Sequence, residues 1–225
     1  MTVTLGEEVT LLSVDDESGA VKDRHSAGWA VAGGTLLELA LAGRVAVDDG
    51  RLTVTDPTPT GDPLLDGRLA QLTDWTARHS KAEVGDWLAK DQAKAFDAAV
   101  DRLVDRGVLT ERKHRVLGIF PGRRYPEADG SAERALRHRL EDVVLHGADP
   151  DARTTGLIAL LHATGLHGAA FPDVPRDRVA PRMEALAEGQ WVAADVHQAL
   201  QDMQAVLAAL VVTTTVATTI TTTTT

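Results

Sequence analysis

The chain has 225 residues, 44% of them hydrophobic and only 4% aromatic, with a net charge of −10 and a pI near 5.2. This length suits one large domain or two small ones, with a core filled by Leu, Val and Ala. The acidic balance disfavours a nucleic-acid partner, and the absence of cysteine excludes disulfides and thiolate chemistry.

The N-terminal stretch MTVTLGEEVTLLSVDD lacks the basic and apolar regions of a signal peptide, so the chain reads as cytoplasmic. Its preference for arginine and alanine suggests a GC-rich bacterial genome. Thr4 and Glu7 predict a capping box ahead of a helix over 5–14. A second helix is predicted over 26–41, with Leu36, Leu37, Leu39 and Leu41 at its apolar positions and Gly43 as its stop. Within it, AGGT (32–35) is a place for helices to approach closely. RVAVDDGRLTVTD predicts a hairpin about Asp49–Gly50, and PTPTGDP (57–63) an extended loop. Two amphipathic helices are expected over 64–80 and 81–91, and a third over 92–107, where Phe96, Val100, Leu103 and Val104 recur at helical spacing. Past Gly107, VLTERKHRVLGIF predicts a second hairpin, with Pro121 and Gly122 breaking the apolar run. Further helices are expected over 131–147, over 151–168 and across RVAPRMEALAEGQ. The last starts at Trp191 and carries Val192, Val196, Leu200, Met203 and Leu207 on one stripe.

The expected fold is mainly α: a single compact helical domain over 1–212 with two short β-hairpins, each following a helix that ends in glycine. The threonine-rich, low-complexity tail over 213–225 is expected to be irregular. Ala205–Ile220 is the best candidate for a membrane span, but it is short and carries five threonines. A buried terminal helix is the reading for it.

No nucleotide-binding glycine loop, nucleophile elbow or zinc motif is present. His162 and His167 lie five apart without a second pair of ligands, and His162, on an apolar helix, reads as a core histidine. The acid pairs Asp15–Asp16, Asp48–Asp49 and Glu141–Asp142 read as solvated turns. No catalytic residue, cofactor or metal site is predicted. The remaining feature is basic: Arg112, Lys113, Arg115, Arg123 and Arg124 face a single Glu111 between positions 111 and 124. They fence Val116, Leu117, Ile119 and Phe120. Arginine forks suit phosphate oxygens, and an anionic membrane attracts such a patch by about 1 kcal/mol per basic residue.

TLGEEVTLLSVDDESG (4–19), LLELALAGRVAV (36–47), DRLVDRGVLTERKHRVLGIFP (101–121) and LIALLHATGLHGAAF (157–171) resemble, in order and register, blocks of the Golgi phosphoprotein 3 family. The resemblance covers about residues 5–212. It implies a helical domain without catalytic activity and peripheral membrane association. It also implies binding of phosphatidylinositol 4-phosphate, an adaptor-type trafficking role and self-association through the hairpin over 115–124. It places the headgroup contacts near Asp23 or Arg24, near Ala32 or Gly33, and near Ala93 and Phe96. Most of these positions lack the implied tryptophan or arginine, and Arg24, Trp29, Lys90 and Lys94 are the nearby substitutes. Candidate headgroup residues are thus Arg24, Trp29, Lys90, Lys94, Arg115, Arg123 and Arg124. Val116, Leu117, Ile119 and Phe120 are the candidate membrane or oligomer contacts. The expected partners are anionic lipid, phosphatidylinositol 4-phosphate foremost, and a second copy of the chain. The alternatives are an oligomeric scaffold without lipid specificity and a winged-helix-like DNA binder, the latter opposed by the net charge.

Overall fold

The computed structural model describes residues 3–15, 18–116, 120–188 and 206–208, with the backbone alone over 113–116 and 120–123. The fold is mainly α, with two antiparallel two-stranded sheets among the described residues. Its axis is α1 (Leu5–Ser13), in which every residue is buried. Thr4 opens it with the predicted capping box: its Oγ1 accepts from the Glu7 N–H at 3.2 Å, and Glu7 Oε2 accepts from the Thr4 N–H at 2.6 Å. The polar side chains on this buried helix are satisfied locally, Thr10 donating to Gly6 O and Ser13 to Val9 O.

Helix α2 (Arg24–Leu41) lies along α1. A Cβ on Gly34 would stand 3.1 Å from the Gly6 nitrogen and 3.3 Å from the Leu5 carbonyl carbon. The glycines of AGGT therefore admit backbone against backbone. Helix α4 (Val84–Asp105) packs on both α2 and α1, and α6 (Ala152–Ala163) packs on α1, α2 and α8 (Arg176–Ala187). The first hairpin, β1 (Val45–Asp48) and β2 (Arg51–Val54), turns at Asp49 and Gly50, both at positive φ.

Two helix boundaries differ from the expectation. The segments 81–91 and 92–107 form one helix, α4, because no glycine or proline interrupts the chain between Lys90 and Gln92. The expected helix over 151–168 is instead split. Gly165, at φ +73°, closes α6 with bonds from Gly165 N to His162 O and from Leu166 N to Leu161 O, and α7 (His167–Ala170) restarts beyond it. Gly43 and Gly107 end α2 and α4 with the same paired bonds, so both hairpins leave their helices in the same way. The helix expected from Trp191 lies outside the described residues except at 206–208, where the chain is helical.

Helix α3 (Pro63–Arg78) is capped by Asp62, which accepts from the Leu64 and Leu65 N–H groups. Asp62 also forms a two-point ion pair with Arg102 of α4 at 2.5 and 2.6 Å. Burial opposes ionisation of this carboxyl, but Arg102 and the two N–H groups outweigh it and hold the Asp62 pKa below its ordinary value. A lowered folded-state pKa contributes stability above the unfolded value that is lost as pH falls through the folded one. Asparagine keeps the cap but not the charge. Denaturant unfolding is therefore expected to show Asp62→Asn less stable than the parent at neutral pH, with the gap closing as the medium becomes acid. A gap independent of pH would refute this role of Asp62.

Candidate functional site

The basic hairpin grows from the Gly107 stop. Leu109 bridges to Glu127, Thr110 N bonds Pro126 O at 2.9 Å, and β3 (Arg112–Val116) then pairs with β4 (Phe120–Arg124). Its base is held to the turn after α1: Tyr125 N donates to Gly19 O at 2.8 Å, and Arg124 Nη1 to Ser18 O at 3.3 Å. A Cβ on Gly19, which sits at φ +63°, would come within 2.6 Å of the Tyr125 nitrogen. Pro121 and Gly122 lie inside β4, not at a break as expected. A sheet of two strands is all edge, and an edge tolerates a residue without an N–H.

The register sets Arg112 opposite Arg124 and Lys113 opposite Arg123, with Arg115 opposite Pro121 and Val116 opposite Phe120. Two successive cross-strand pairs thus bring like charges together, which destabilises an isolated ladder. Leu117 and Ile119 lie outside the described residues.

The other candidates sit apart from this hairpin. Arg24 opens α2, where its guanidinium pairs with Asp97 and lies 4.9 Å from the centroid of the Phe96 ring. Trp29 is buried, and its indole N–H donates to His25 Nε2 at 3.2 Å. It is a core side chain rather than an exposed headgroup contact, because the apolar face of α2 carries it inward. Lys90 and Lys94 are exposed on α4 beside a pocket of about 210 Å³. Lys90 Nζ stands 5.5 Å from the Trp87 ring and 5.9 Å from the Trp75 ring. The two indoles meet at 5.4 Å. Behind them Arg68 Nη1 pairs with Asp91 Oδ1 at 2.6 Å, both side chains almost fully buried. Burial pushes the Asp91 carboxyl up, against the pull of Arg68, Lys94 and Lys90.

Reading α3 and α4 only as amphipathic helices missed this pocket. The available signal was two of the chain's four tryptophans, Trp75 and Trp87, twelve residues apart on predicted apolar stripes. His162, expected to be a core histidine, is only half-buried, while His167 is buried; their ring nitrogens lie 3.2 Å apart. Burial lowers the pKa of both. Among the described residues no group of three or more His, Asp or Glu is placed to hold a metal, and no helix is long and apolar enough to cross a membrane.

The model of one protein family, Golgi phosphoprotein 3 (GPP34), matches residues 5–203. The chain belongs to the Golgi phosphoprotein 3 family. No curated protein matches it. This is not known as an enzyme family. Near the positions where the family resemblance puts headgroup contacts, this Golgi phosphoprotein 3 member has Asp23 as the α2 cap beside the exposed Arg24, Ala32 and Gly33 buried in α2, Phe96 fully buried and Ala93 on the surface of α4. Phe96 fills the space between α2 and α4, and Arg24 covers it from outside.

Proposed function

We propose that this protein is a non-enzymatic, peripherally membrane-associated module that binds anionic lipid headgroups through the β3–β4 hairpin. The observation that carries this reading is the hairpin register: Arg112 against Arg124 and Lys113 against Arg123. Like charges placed opposite one another cost stability, and a layer of phosphates offsets that cost. In a protein of net charge −10, such local pairing is the signature of an anionic partner rather than of a solvated surface. Arg115, Arg123 and Arg124 then meet headgroups, while Val116, Leu117, Ile119 and Phe120 enter the interface between headgroups and chains. Phosphatidylinositol 4-phosphate belongs to this class of lipid. With Asp23 or Arg24, Ala32 or Gly33, Ala93 and Phe96 near the family's headgroup positions, the reading rests on charge more than on headgroup shape, and an adaptor-type role is proposed with it. The unit that performs it is the domain over 1–212, the threonine-rich tail lying outside.

Vesicle co-sedimentation tests this. The protein is expected to pellet with phosphatidylglycerol and with phosphatidylinositol 4-phosphate vesicles of matched charge, not with neutral phosphatidylcholine, and less at high salt. Reversing both members of one pair, Lys113→Glu with Arg123→Glu, is expected to weaken uptake at least about tenfold, since each basic residue contributes about 1 kcal/mol. Unchanged uptake would overturn the reading.

A second reading is favoured by the two-stranded sheet, in which neither strand has a further described partner. The open ladders suit pairing with the hairpin of another copy. Sedimentation equilibrium is then expected to show a dimer, and a monomer persisting at high concentration would exclude it.

A further inference from the structure

We propose that the pocket between α3 and α4, walled by Trp75 and Trp87, binds a soluble phosphate that carries a hydroxyl, inorganic hydrogen phosphate being the simplest case. Three observations converge on this chemistry. The first is charge. Lys90 and Lys94 stand one helical turn apart at the pocket, and neither forms a salt bridge among the described residues. Arg78, also at the pocket, is already held by Asp74 at 3.2 Å. Two ammonium groups outside any described ion pair, Lys90 resting over the indoles, attract an anion.

The second is an unmet acceptor. Asp91 lines the same pocket with its side chain 4% exposed. Its Oδ1 takes the Arg68 bond, but its Oδ2 is buried with no hydrogen-bond partner among the described residues. A buried acceptor left unpaired costs free energy, and a ligand O–H removes that cost. The third is size. About 210 Å³ holds a tetrahedral oxyanion with a few waters, each water taking about 30 Å³.

The acceptor makes the pocket selective. Hydrogen phosphate offers oxygens to the lysines and its hydroxyl to Asp91 Oδ2. Sulfate at neutral pH has no proton, so it would set a bare oxygen against the carboxylate. Lys90, now over the two indoles, lines the pocket and is within side-chain reach of an oxyanion there. The pocket is built by α3 and α4, not by the β3–β4 hairpin, so soluble-ligand binding and vesicle uptake are separately removable.

Isothermal titration calorimetry of the full chain at neutral pH and fixed ionic strength tests this with sodium phosphate and sodium sulfate. Phosphate is expected to bind at least about tenfold more tightly than sulfate, a difference of about 1.4 kcal/mol. Asp91→Asn replaces the acceptor by an amide that also donates, and is expected to bring the two affinities together. Because that change leaves Arg68 buried without its carboxylate, Lys94→Gln is the second variant. It is exposed, should leave thermal stability unchanged, and should weaken phosphate about fivefold or more. Retained vesicle uptake by Lys94→Gln would place the phosphate site apart from the membrane surface. No phosphate binding up to about 10 mM, weaker than any ligand worth about 3 kcal/mol, would overturn the proposal. So would equal affinity for the two anions, or an unaffected Lys94→Gln. Loss of vesicle uptake in Lys94→Gln without any binding of free phosphate would assign the pocket to a lipid headgroup instead.

Discussion

Replacing Glu7 by alanine is expected to cost about 3–5 kcal/mol, the penalty for removing one partner of a buried ion pair. Glu7 is fully buried at the start of α1, yet its carboxylate lies 3.1 Å from Arg106 Nη1 and 3.4 Å from Arg102 Nε. It also accepts the Thr4 N–H. Alanine removes the charge and half of the capping box together. Glutamine keeps an acceptor for Thr4 and removes only the charge, so Glu7→Gln should fall between the two. For a chain of this length each kcal/mol moves Tm by roughly 2–4 °C, so the alanine variant should melt about 6–20 °C below the parent. Scanning calorimetry of the three proteins checks the order, and a Glu7→Ala transition within about 2 °C of the parent would show that the α1–α4 ion pairs carry no stability.

Phe96→Ala is expected to be as damaging, about 3–5 kcal/mol, because it opens a cavity where α2 and α4 meet. Phe96 has no solvent exposure and is among the largest fully buried side chains. The Arg24 guanidinium above the ring adds a smaller term, about 0.5–1 kcal/mol for a half-exposed cation over an aromatic face. A double-mutant cycle with Arg24→Ala separates the two by urea unfolding. Coupling should stay near 1 kcal/mol while the Phe96 loss dominates. Coupling of several kcal/mol would mean instead that Arg24 organises the site. Phe96 thus fills the α2–α4 junction where the family resemblance places a headgroup contact.

Much of this architecture is readable from local chemistry. Thr4 and Glu7 mark the first helix because capping is a three-residue interaction. Gly43 and Gly107 mark two stops because the left-handed conformation after a helix favours glycine over other residues. Asp49–Gly50 marks the first turn for the same reason. Where local signals were balanced, the expectation failed. The run through Lys90–Gln92 carries nothing that ends a helix, and Gly165 was read as part of an apolar helix when its backbone conformation closes one. Trp29 is a candidate headgroup residue only because it lies near the family's headgroup positions in sequence. One turn along α2 was enough to carry it into the core.

The amino-acid sequence by itself determined the helical class, the two glycine-terminated hairpins, the clustering of five cations between positions 112 and 124, and the lack of cysteine chemistry. These are properties of spacing and composition, and they act over a few residues. The tertiary structure alone decided three other matters. Glu7 and Glu8 became buried charges because α1 is enclosed by helices that supply Arg102, Arg106, Arg139 and Arg153. The cations of the hairpin became opposed pairs because strand register, not sequence distance, sets which residues meet. Asp91 came to lie behind Trp75 and Trp87 with an unbonded oxygen because α3 brings Arg68 to only one side of it. The hairpin pairs join residues 10 and 12 apart, whereas the Asp91 and Glu7–Glu8 ion pairs join residues 23 to 145 apart and exist only once the helices have packed.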